Sequence, residues 1–332
     1  MNKILQIFSK EYGSINQAAF LLGFFAFLSQ VLALFRDRAF AHFIGPGATL
    51  DIYYSAFRIP DLIFISIASL ASITVLIPFI VTKMEGENVT SEARKYLSDI
   101  FTVFFTLMIL VSLVAFFLMP FLISLIAPGF DGEMQSKVVD LSRIMLLSPI
   151  LMGLSNLFGT ITQLFRKFFI YSLSPIFYNL GIIIGVMFFY PNFGIKGLAF
   201  GVALGAFLHF LIQTYASSGC GFRPKFSFNI NFSDIKRTIL ISLPRTFGLA
   251  FNNISLIFII ALASYLKDGS ISVFNLSFNL QSVPLNIIGV SYAVAAFPTL
   301  TKSIALGKMN EFKSHLKSAA RAIVFWSIPT TF

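Results

Sequence analysis

The run "FRDRAFAHFIGPGATLDIYYSAFRIPD", from Phe35 to Asp61, carries Arg36, Asp37, Arg38, Asp51, Arg58 and Asp61 between two long apolar stretches. The chemistry such a set offers is electrostatic. Arginines at least match the acids in number, a balance that suits an anionic ligand better than a cationic one. Covalent chemistry lacks its usual apparatus: there is no HExxH pair, no Gly-x-Ser-x-Gly elbow and no Walker loop. No span gathers carboxylates on one face, as an intramembrane diphosphate enzyme using magnesium requires. The single cysteine, Cys220, excludes a disulfide framework and a cysteine-rich metal site. The expectation is a non-enzymatic protein with no cofactor and no metal.

The elements that position these charges must be membrane helices. Of 332 residues, 57% are hydrophobic and only 11% charged, and 42 are phenylalanine; soluble domains carry about 25% charged residues. A helix crossing a bilayer needs about 20 apolar residues, and continuous rather than alternating runs favour helices over a barrel. Spans are predicted at 16–35, 52–82, 100–127, 138–164, 169–190, 194–216, 238–265, 271–300 and 318–332. Prolines interrupt several of them: Pro60 and Pro78, Pro120, Pro149 and Pro175. Each removes a backbone donor, a defect that neighbouring helices repair in membrane bundles. The last run, ending "VFWSIPTTF", is short for a crossing and suggests a truncated chain. With the amino terminus inside, sixteen Lys and Arg fall on the cytoplasmic side and five on the other, a positive-inside pattern. The net charge of +10 then reads as topology signal and attraction to anionic membrane lipids, not as nucleic-acid binding.

Three arginines fall inside predicted spans. An arginine at mid-membrane costs about 2.5–3.5 kcal/mol on insertion scales and normally faces a bundle interior or a wet cavity. Arg143 and Arg245 lie near their span ends, so either snorkelling or a cavity suits them; Arg58, just before Pro60, favours the cavity. His209 in "GAFLHFLIQ" reads as a hydrogen-bonded packing residue. Residues 302–321 read as a basic amphipathic helix on the cytoplasmic leaflet. An internal repeat is also visible. "SAFRIPDLIFISIASLASITVLIPFI" matches "LSFNLQSVPLNIIGVSYAVAAFPTL", with Phe57 to Phe278 spaced by 221 residues and Pro78 to Pro298 by 220. A weaker echo pairs "GPGATLD" with "KDGSIS". Six spans separate the copies, which makes a parallel repeat about an axis along the membrane normal.

The run "LSQVLALFRDRAFAHFIGPGATLDIYYSAFRIPDLIF" resembles the first two spans of the MurJ (MviN) family, proposed flippases of the peptidoglycan precursor lipid II. That family lies within the multidrug/oligosaccharidyl-lipid/polysaccharide exporter superfamily. The match rests on Arg36–Asp37, Gly45, Gly47, Asp51, and "AFRIP" with Arg58 and Pro60, and continues weakly through "LPRTFGLAFNNIS". The resemblance implies an all-α polytopic membrane protein, a V of two six-helix lobes. Here the first lobe would be residues 1–217 and part of the second 218–332. It implies a multi-pass protein of the cytoplasmic membrane that carries an undecaprenyl-pyrophosphate-linked precursor by alternating access. The cavity residues would be Arg36, Arg58, Asp37, Asp51 and Asn279. Arginine's planar fork binds phosphate oxygens in pairs, and Asp37 and Asp51 would orient and moderate the two arginines. Departures from the family pattern fall on Gln30, Phe64, Ile65, Ser69 and Asn279, where basic or acidic residues are usual. Residues 241–265 hold no carboxylate for a coupling sodium ion; the membrane potential, worth about 2.3 kcal/mol per charge per 100 mV, is a candidate driver. Other readings are a sibling carrier of another lipid-linked oligosaccharide or a drug, and a non-transporting membrane scaffold.

Overall fold

The computed structural model describes residues 15–68, 73–85, 89–165, 167–220, 225–285, 300 and 308–331, and among these the chain is helical with no strand. The elements are α1 (Ile15–Phe43), α2 (Ala48–Ala56), α3 (Arg58–Ala68), α4 (Ile73–Val81), α5 (Ser91–Ile126), α6 (Gly132–Met145), α7 (Leu147–Leu164) and α8 (Phe168–Ile184). A π turn (Gly185–Phe189) and a short α9 (Tyr190–Phe193) extend α8. Then follow α10 (Ile195–Ser218), α11 (Phe232–Ala263), α12 (Ser270–Pro284) and α13 (Met309–Thr331). Five helices among the described residues are long and apolar enough to cross a membrane: Ser91–Ile126, Gly132–Leu164, Phe168–Phe193, Ile195–Ser218 and Phe232–Ala263. This is an all-α polytopic membrane protein, as its composition predicts. It forms two compact units, Met1–Ser272 and Val273–Phe332.

Helices overrun the apolar windows wherever charged residues can still extend a helix into water. α1 continues to Phe43, so Arg36, Asp37 and Arg38 are helical rather than in a loop. α5 begins nine residues before its predicted start of 100, where the Thr90 side chain accepts from the Ala93 N–H at 3.1 Å, a side-chain cap on an otherwise orphaned donor. The single span predicted at 52–82 is instead interrupted at Phe57, between α2 and α3; residues 69–72, between α3 and α4, lie outside the described residues. The surface helix and the ninth span, predicted separately, form one helix over 309–331, with Ala319, Ala320 and Ala322 favouring continuity. Pro298, the far end of the repeat, lies outside the described residues, as does much of "SIASLAS".

Three of the proline defects are met by side chains from other helices. Pro60 cannot donate to the Ala56 carbonyl, and the buried Ser142 hydroxyl of α6 does so at 3.1 Å. Pro120 leaves the Phe116 carbonyl without its helical donor, and Arg143 Nε supplies one at 3.2 Å while its guanidinium lies over the Phe116 ring at 4.7 Å. Pro175 leaves Tyr171, whose carbonyl accepts a long 3.5 Å bond from Gln213 Nε2. That same nitrogen donates to Ser174 Oγ at 2.7 Å, and the Thr162 hydroxyl donates to the side-chain Oε1 of Gln213 at 3.2 Å.

Small residues set the distance between α8 and α10. Gly181 and Gly185 face Gly201 and Gly205: a Cβ on Gly181 would lie 2.2 Å from Gly205 Cα, and one on Gly201 2.5 Å from Gly185 Cα. The two backbones pack directly, the small-xxx-small logic of membrane helices. At the other end of the unit, Lys83 pairs with Glu92 at 2.6 Å and Asp234 at 3.0 Å. Tyr96 and Thr238 share a buried hydrogen bond at 2.9 Å. These contacts pin α11 to α5 and to the segment before it.

Candidate functional site

α1 turns Arg36 and Asp37 toward α8. Arg36 donates from Nε and Nη2 to one Asp37 oxygen at 2.9 and 2.8 Å, and from Nη1 to Asn179 Oδ1 at 3.0 Å. Asn179 is itself held, donating to the Pro175 carbonyl at 3.1 Å and to Ser29 at 3.5 Å. A guanidinium carries five N–H donors; three are engaged, and two have no partner among the described residues. The side chains of Arg36 and Asp37 are 19% and 11% exposed, so the pair sits in the protein rather than on its lipid-facing rim.

Arg58 opens α3 and is buried. Tyr54 of α2 lies within electrostatic range of Arg36, Asp37 and Arg58. The Tyr54 hydroxyl is buried and has no hydrogen-bond partner among the described residues. Tyr178 of α8 bears in the same way on Arg36 and Asp61. An aromatic wall closes the back of the cluster: Tyr53 packs against Phe40, Phe57 and Tyr54, with ring centroids 4.8, 5.1 and 5.4 Å away. The arrangement is two arginines, one fixed by an acid and an amide, beside phenol groups. It can bind an oxyanion; it has no nucleophile–base pair among the contacts described.

Asp51 does something other than orient an arginine. One carboxylate oxygen accepts from the Gly269 N–H at 2.6 Å; the other accepts from the Ser272 N–H at 2.7 Å and from the Ser272 hydroxyl. It is a cap for the first turn of α12, satisfying donors that a helix leaves orphaned. The close approach needs a glycine: Gly269 has φ +92°, and a Cβ there would sit 3.2 Å from the Pro46 carbonyl carbon. The two loops read from the sequence as a repeat echo thus touch, and Asp51 meets Ser272 at a spacing of 221 residues, the spacing of Phe57 and Phe278. Asn279 is half-buried on α12 in the second unit, its carbonyl accepting from Ser282 at 2.6 Å.

Arg143, held open as a cavity cation in the sequence reading, serves the Phe116 carbonyl instead. His209 is a packing residue by geometry: the Ser155 hydroxyl lies 2.5 Å from its Nδ1 and 3.1 Å from its carbonyl, tying α7 to α10. Sequence reasoning missed Asn179 and Tyr54. Asn179 had a signal, as a lone amide one turn after Pro175 in an otherwise apolar span; Tyr54 had none, being one of two adjacent tyrosines.

Residues 40–332 match the family described as lipid II flippase MurJ. A probable lipid II flippase MurJ of Rhizobium tropici is 25% identical over 91% of this chain and 58% of its own length. The corresponding protein of Buchnera aphidicola subsp. Schizaphis graminum is 28% identical over 95% and 62%. The chain spans about three fifths of the relatives it matches. Among solved structures, "Lipid II flippase MurJ, inward closed conformation" superposes with a TM-score of 0.77 at 23% identity, covering 94% of this chain and 64% of that one. An inward-facing multidrug resistance MATE family transporter of the MOP superfamily gives 0.73 at 15% identity, over 90% and 68%. These two likenesses show the fold. With most of its length matched by the family pattern, the chain belongs to the lipid II flippase MurJ family.

Proposed function

We propose that this protein translocates a lipid-linked peptidoglycan precursor, lipid II or a close relative, across the cytoplasmic membrane, without covalent chemistry. The undecaprenyl-linked pyrophosphate would be held by Arg36 and Arg58, with Asp37 and Asn179 fixing the geometry of Arg36. Residues 1–217 and 218–332 would be the lobes that rock to alternate access, with the amino terminus cytoplasmic. The observation that carries this reading is the Arg36 cluster: a partly buried guanidinium, clamped on one edge, with two donors left and the Tyr54 hydroxyl and Arg58 nearby. A diphosphate in an environment of low dielectric needs such preset positive charge. A carrier of cationic drugs would need the reverse polarity.

The test is complementation in cells depleted of their own lipid II flippase. Rescue by the wild-type protein, lost in Arg36→Ala and Arg58→Ala with membrane insertion intact, is the expected result. Normal growth with both arginines replaced would end the proposal, and failure of the wild type itself, present in the membrane, would favour the scaffold alternative.

A further inference from the structure

Of the three acids between Phe35 and Asp61, Asp37 holds Arg36 and Asp51 caps α12; Asp61 does neither. It lies on α3 one turn after Arg58, and its side chain opens on a cavity of about 130 Å³ within the first unit. The cavity's other polar groups are Ser148 of α7 and Tyr178 of α8, and Phe64 and Met152 give it apolar walls. Among the described residues no hydrogen bond or ion pair reaches the carboxylate. The cation acting on its charge is Arg58, and the titratable group facing it from α8 is Tyr178. α7 contributes a hydroxyl and apolar atoms, and neither α5 nor α11, which also pack on α3, places a charged residue in the cavity wall.

One guanidinium thus serves two anions. While no headgroup is bound, Arg58 offsets the Asp61 charge. Once a diphosphate draws on Arg58, Asp61 is a carboxylate in a largely apolar hollow with its compensation shared away, a costly state. We propose that Asp61 takes up a proton from water when an anionic headgroup occupies the Arg58 site, and that the neutral carboxyl then donates to the hydroxyl of Tyr178 or Ser148. An O–H bond forms on the carboxylate as one breaks in a hydronium ion, which leaves as water, and the charge of Asp61 goes from negative to zero. The loaded protein therefore carries one negative charge fewer than the sum of its parts. The inference rests on Arg58 belonging to the headgroup site.

Inorganic pyrophosphate titrated calorimetrically into the detergent-solubilised protein, in two buffers of different ionisation enthalpy, counts the protons. The wild type should take up more protons per pyrophosphate than Asp61→Asn does, by up to about one; subtracting the variant removes the titration of pyrophosphate itself. Asp61→Glu should restore the difference. If Asp61→Asn does not fold, Tyr178→Phe, which removes a partner of the neutral carboxyl, should lower the count. Equal counts in wild type and variant, with binding intact, overturn proton uptake at Asp61 and leave the arginine site standing. Absence of pyrophosphate binding to the wild type overturns the arginine site, and this inference with it.

Discussion

Arg36 and Arg143 are both arginines in apolar helices, and the chain uses them in opposite ways. On α6, Arg143 donates to the Phe116 carbonyl that Pro120 leaves unserved and lies over the Phe116 ring. Its neighbour Ser142 does the same service for Ala56 and Pro60. That helix is maintenance: two consecutive side chains serve two carbonyls that prolines leave without a helical donor. On α1, Arg36 is anchored by an acid and an amide along part of its fork and keeps two donors in reserve. On the proposed function, what distinguishes the headgroup site from the scaffold is not the presence of charge in oil but what already occupies its donors.

The comparison can be broken at Arg36 first. Arg36→Ala removes two charged donors available to a headgroup, each worth about 1.5–3 kcal/mol. Pyrophosphate affinity should fall by about 100-fold or more, with complementation lost. Arg36→Lys should fail as well, since one ammonium cannot reproduce a fork shared between Asp37 and Asn179. Next in size, Asp51→Ala should lower thermal stability by about 2–3 kcal/mol, because it strips acceptors from buried N–H groups, while pyrophosphate binding persists. A variant that keeps its stability but loses binding would return Asp51 to the anion site. Third, Arg143→Ala should cost about 1–2 kcal/mol of stability with transport retained. Pro120→Ala in the same chain should recover most of that loss, because an alanine there restores the backbone N–H that serves the Phe116 carbonyl; strict additivity of the two changes would refute the repair. Last, Lys137→Ala breaks an exposed pair with Glu133 at 2.6 Å, and should move stability by about 0.3 kcal/mol or less with growth unaffected.

Much of this architecture was readable from local composition, because apolar runs long enough to span a bilayer leave the backbone little choice but helix. Arg36, Asp37 and Arg58 stood out for a related reason: charge is rare in such runs and has to be housed. The parts that were not readable depend on partners far along the chain. Asp51 finds its acceptor role 218 and 221 residues away, and nothing in "ATLDIYY" announces a cap for another helix. Arg143 could not be told from a cavity cation, since the proline it serves lies on a different span. Breaks at Phe57 and between Met145 and Leu147 come from the competition between proline chemistry and apolar continuity, which a hydropathy window averages away. Asn179 was overlooked because one amide among aliphatic neighbours looks like packing until an arginine is seen on it.

The bond between Asp51 and Ser272 carries an evolutionary consequence. If the two stretches descend from one ancestral segment, these positions are counterparts that face each other, so whatever residue sits there meets its own duplicate. Two aspartates would repel across the joint; two serines would offer one hydroxyl oxygen where the carboxylate now gives separate oxygens to the Gly269 and Ser272 N–H groups. An acid in one copy and a hydroxyl in the other removes the repulsion and keeps both carboxylate acceptors, so this joint favours copies that differ.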